Sequence, residues 1–148
     1  MNVEAIIKTE KRLPLRMRTM IHFALVGNKI SEAFAAALKP YEVSEQQFNV
    51  LRILRGQKGT PANLSTINER MVTKMSNTTR LVDKLLLKGY VDRAVCANNR
   101  RKVEITITNK GNTILTELDS VMEATEKQLL QKFNDKELEQ LNLLLDKF

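Results

Sequence analysis

The side chains best equipped to recognise another molecule stand close together between residues 74 and 84. Lys74, Ser76, Asn77, Thr78, Thr79, Arg80 and Lys84 mix a short amide, hydroxyls, a guanidinium and ammonium groups. An amide or guanidinium can pair with base edges, a hydroxyl with bases or phosphates, and an ammonium with phosphate. Leu81, Val82 and Leu85 recur at helical spacing and mark the inward side of this stretch, which leaves Asn77, Thr79, Arg80, Asp83 and Lys84 outward. Ser76 suits the N-cap, and Gly89 suits the left-handed position after the last turn. The expectation is a helix shaped for a groove of duplex DNA.

The charge distribution supports this expectation. The chain carries a net +7, and residues 70–110 alone hold ten cations against three anions. Everything outside that stretch sums to zero. A solvated face would mix signs, so the segregation points to a polyanionic partner. Val91–Val95 and Val103–Thr108 have strand-like composition. The polar segment between them is expected to be a hairpin whose tip carries Arg100, Arg101 and Lys102. Cations placed there can reach the DNA backbone or the minor groove.

Catalysis finds little material. One histidine, His22, and one cysteine, Cys96, lie far apart, and neither a nucleophile–base pair nor a metal-ligand cluster is legible. No enzyme activity, cofactor or metal is expected. The lone cysteine fits a reducing compartment and a cytoplasmic protein, and Cys96 reads as inert. The N-terminus lacks the pattern of a signal peptide, and no apolar run approaches the roughly 20 residues of a membrane span.

The elements that must position residues 74–84 follow from periodicity. The 148 residues suit a single domain of mainly α structure. Residues 2–13 read as a loosely held arm. Residues 15–39 read as one long helix starting after Pro14, with apolar residues on more than one stripe, which asks for a second covering surface such as a partner subunit. Ser44 with Gln47 forms a capping box for the next helix. Asn63 caps a short helix with Leu64, Ile67 and Met71 inward, and the 74–84 stretch follows as the second half of a helix-turn-helix. Thr108 and Asn134 cap two final helices. From Gly111 onward the charge is −4, which suits subunit association and not DNA.

With these elements in order, the chain resembles the MarR family of winged-helix transcriptional regulators over nearly its full length. The residues that carry the resemblance are Phe48–Leu54, Arg80–Leu85, Lys88–Arg93, Arg100-Arg101 and Ile107–Gly111. The resemblance implies an α+β winged helix-turn-helix lobe at residues 44–108, flanked by dimerisation helices at 15–39 and 109–148. It further implies a homodimer on a pseudo-palindromic operator, acting as a repressor released by a small-molecule effector. Asn77, Thr79 and Arg80 would face bases, Lys74 and Lys84 phosphates, and Arg100 or Arg101 the minor groove. Thr78 stands where the family often has an inward aliphatic residue. His22 lies near the family's effector crevice. Arg16 and Arg18, near the same end, are expected to pair with the acidic C-terminal helices. The alternative is a winged-helix interaction module that binds protein or RNA in place of operator DNA.

Overall fold

The structure, a computed structural model, describes residues 1–73, 77–96 and 99–148, with backbone alone for residues 96 and 99–102. Its elements in order are α1 (Val3–Ile6), α2 (Leu15–Leu38), α3 (Glu45–Gly56), α4 (Leu64–Arg70), α5 (Thr78–Leu87), β1 (Val91–Cys96), β2 (Asn99–Ile107), α6 (Asn109–Leu130) and α7 (Asp135–Leu145). The mainly helical content agrees with the periodicity, and the winged helix with what the resemblance implied.

Local chemistry sets most boundaries. The Ser44 hydroxyl accepts from the Gln47 amide while the Gln47 side chain accepts from the Ser44 amide, a reciprocal cap that starts α3. Asn63 caps α4 by accepting from the Thr66 amide at 2.9 Å. Asn134 and Glu137 repeat the capping box on α7. Pro14 occupies the cap position of α2.

Two expectations are corrected. The N-terminal arm is docked: Val3 is fully buried, and Arg18 pairs with Glu4 at 2.9 Å, not with the acidic C-terminal helices. The second strand begins at Asn99, so Arg100, Arg101 and Lys102 lie along β2 and not on the hairpin tip. β1 and β2 pair antiparallel in register Val91↔Ile107, Arg93↔Ile105 and Val95↔Val103, with an irregularity between Val95 and Cys96. Ala62, between α3 and α4, adds a third rung by exchanging both backbone hydrogen bonds with Ile105, at 2.9 and 2.8 Å. The bridge holds the start of the helix-turn-helix to the base of the wing.

The core sits inside the lobe. Phe48, Val50, Leu51 and Leu54 of α3 pack with Ile67, Val82, Leu85, Val91 and Ile105, and Leu115, Leu118 and Met122 of α6 close the far side. The long helices outside the lobe are much less covered. Leu15, Met17 and Met20 of α2 and Leu143 and Leu144 of α7 are each more than half exposed in the single chain. Among the described residues no helix is long and apolar enough to cross a membrane.

Candidate nucleic-acid interface

The face offered by α5 depends on how the helix is seated. Val82 and Leu85 are fully or almost fully buried, with Leu81 and Leu86 half-buried beside them. The opposite side is open to solvent: Asn77, Thr79, Arg80, Asp83 and Lys84 are all exposed. Their spacing puts Arg80 and Lys84 one helical turn apart on one face, where a guanidinium and an ammonium can address the same groove.

Thr78 belongs to the other side. It is 7 % exposed, and its hydroxyl donates to Asn68 Oδ1 at 3.3 Å. It is therefore corrected from a groove-facing residue to one that joins α5 to α4. The family's inward position is kept here, with a hydroxyl satisfied by an amide where an aliphatic chain would need no partner. The start of the helix is also corrected. The cap position falls to Asn77, one residue after the expected Ser76, and the Asn77 side chain makes no capping hydrogen bond. Lys74 and Ser76 lie outside the described residues, as do the side chains of Arg100, Arg101, Lys102 and Cys96.

The far end of α5 is locked to the wing and to α6. Gly89 takes φ +69°, the left-handed conformation that ends the helix. Thr108 donates to the Gly89 carbonyl at 2.8 Å and accepts from the Gly111 amide at 2.9 Å, so one hydroxyl caps α6 and ties it to the end of α5. Lys110 donates to the Lys88 carbonyl at 2.8 Å and lies 5.3 Å from the Tyr90 ring centroid. Asp83 pairs with Arg93 of β1 at 3.3 Å, which fixes the wing's base relative to the exposed face. The Gly89 turn and the Thr108 cap were legible beforehand; the ties from Thr108 to Gly89, Lys110 to Lys88 and Asp83 to Arg93 were not, because they join distant residues whose only sequence signal is an ordinary polar side chain.

Among the described residues no group of three or more His, Cys, Asp or Glu is placed to hold a metal. His22 is half-buried on α2, and the cavity formed by α2, α3 and α6 is lined by other residues. That cavity is lined by residues from distant segments, and no local pattern could have announced it.

Residues 43–103, the lobe from the start of α3 into β2, match the MarR family. Solved structures agree over almost the whole chain. A MarR-like transcription regulator from Bacillus cereus ATCC 10987 superposes with a TM-score of 0.80 at 24% identity, covering 90% of this chain and 96% of its own. The transcriptional regulator BldR from Sulfolobus solfataricus gives 0.73 at 26% identity, covering 90% and 96%. A cysteine-to-serine mutant of MarR from E. coli, complexed with operator DNA, gives 0.76 at 22% identity, covering 99% and 98%. The fold is the winged-helix fold that these transcription regulators share. The lobe at residues 43–103 is similar to the MarR family, and the chain shares the fold of these structures over almost its whole length.

Proposed function

We propose that this protein is a sequence-specific, duplex-DNA-binding transcriptional regulator that acts as a cytoplasmic homodimer, a repressor released by a small-molecule effector. The observation that carries the DNA-binding reading is the exposed face of α5. It combines Asn77, Thr79, Arg80 and Lys84 in the stretch that holds the chain's entire net positive charge. The fold it shares with a relative solved on operator DNA supports the same reading.

The homodimer is supported by the apolar side chains that the single chain leaves in water. Met17, Met20, Leu143 and Leu144 are 52–67 % exposed. Surface of this kind on both terminal elements favours a partner that covers it. An isologous dimer of this shape sets two copies of α5 side by side, and a pseudo-palindromic operator would mirror its two-fold axis.

Selection of bound duplexes from a random pool tests the reading. The expected product is an inverted repeat with half-sites about one helical turn apart. Recovery of unrelated sequences, or better retention of single-stranded RNA, would favour the interaction-module alternative. Sedimentation at micromolar concentration tests the dimer: a species of twice the 16.9 kDa chain mass is expected, and a stable monomer would refute it.

A further inference from the structure

Leu87, the last residue of α5, is 89 % exposed, while Leu85 and Leu86 beside it pack into the lobe's core. At about 100° per residue, Leu87 stands about 20° around the helix from Arg80 and about 60° from Lys84, and Leu85 points to the opposite side. The leucine therefore sits in the middle of the exposed polar face, with its side chain in water. The end of the helix that carries it is pinned. Lys88, the next residue, donates to Glu42 at 3.2 Å, and its carbonyl accepts from Lys110 at 2.8 Å. Gly89 then turns the chain left-handed. Covering Leu87 thus needs a surface from outside the chain.

The charge around Leu87 decides what that surface is. Arg80 and Lys84 share its face, and residues 70–110 hold ten cations against three anions. An apolar protein groove that took up the leucine would also have to bury those cations without partners, which is costly. Duplex DNA takes the cations on phosphates and base edges, and its major groove offers one apolar group, the 5-methyl of thymine. We infer that Leu87 reads that methyl group, so that each half-site of the bound duplex contains a thymine fixed by Leu87. The inference rests on the DNA-binding reading above and deepens it by naming a base. Leu87 follows Arg80 by seven residues, about 10 Å along the helix. Its thymine therefore falls within about three base pairs of the base that Arg80 addresses.

The test uses the full-length protein and a duplex selected from a random pool. Each thymine of one half-site is replaced in turn by deoxyuridine, which removes the methyl group and keeps every hydrogen-bonding edge. Anisotropy is expected to show one thymine whose replacement weakens binding about fourfold, the effect of leaving one methyl group unburied. Leu87→Ala should bind the thymine and uracil duplexes equally, and Leu87→Met, which keeps an apolar reach, should retain part of the preference. Because Leu87 is exposed, thermal melts of both variants should match the parent. A selected duplex in which no methyl group matters would overturn the inference and leave DNA reading intact. So would a methyl effect that persists undiminished in Leu87→Ala. Failure of the parent to select any duplex would overturn both.

Discussion

Arg55 of α3 and Asp119 of α6 form an ion pair, 2.5 Å between Nη1 and Oδ2, that fastens the lobe carrying α5 to the long C-terminal helix. Both side chains are more than a third exposed, 41% and 36%, so water screens much of their attraction. Asp119→Asn is expected to cost no more than about 1 kcal/mol of stability. The loss should fade at about 1 M salt, where the screening length falls to about 3 Å. Thermal melts of both proteins at low and high salt measure this. A loss that persists undiminished at high salt would show that packing, not charge, makes the connection.

Thr78 faces Asn68 inside the lobe, so its hydroxyl supports the helix pair and should not read bases. Thr78→Val keeps the shape and removes the donor. It is expected to lower unfolding free energy by about 1 kcal/mol in urea titrations. The base preference of the selected site should stay as it was. A changed preference would place Thr78 in the groove after all.

Gly111 is required by space. A Cβ there would collide with the Tyr90 carbonyl and come within 2.8 Å of the Ile107 side chain. The backbone carbonyl cannot rotate aside, so Gly111→Ala should force α6 away from the end of α5. The expected cost is about 1–3 kcal/mol, read as a lowered urea midpoint. An alanine variant as stable as the parent would show that this junction yields easily.

Acidification should release the N-terminal helix. Glu4 is held below the usual carboxylate range chiefly by a backbone hydrogen bond, which outweighs the opposing effect of desolvation, with Arg18 and then Arg12 adding to the lowering. A carboxylate whose folded pKa is depressed stabilises the fold above its ordinary value and loses that contribution as pH falls through the lowered one. Amide exchange over residues 3–7 should therefore quicken below about pH 4. Glu4→Gln should show the quickened rate already at neutral pH. Exchange indifferent to both changes would mean that burial of Val3 alone holds the arm.

The elements that were legible in the sequence share one physical trait: their signals are local. The capping boxes at Ser44–Gln47 and Asn134–Glu137, the Asn63 and Thr108 caps and the left-handed Gly89 each depend on residues within a turn of one another. The winged-helix class came from the family resemblance, which rested on the order of these signals together with motifs such as Lys88–Arg93 and Ile107–Gly111. The misplacements have equally specific causes. Ser76 and Asn77 are both good caps, and sequence could not decide between neighbours. Thr78 was ambiguous because a buried threonine needs a partner, and Asn68, ten residues away, supplies it. The docking of Val3, the Ala62–Ile105 bridge and the cavity beside Met122 arise from contacts between distant segments, which periodicity does not encode.

The central claim is that the exposed face of α5 reads duplex DNA, and comparing Arg80→Ala with Lys84→Ala on a selected duplex and a scrambled one tests it most directly. Fluorescence anisotropy should show Arg80→Ala losing about 1–3 kcal/mol on the selected duplex and little on the scrambled one, so that discrimination shrinks. Lys84→Ala should weaken both duplexes alike and lower the salt slope by about 1. If Arg80→Ala weakens both duplexes equally, or neither, the assignment of α5 as the reading helix is wrong.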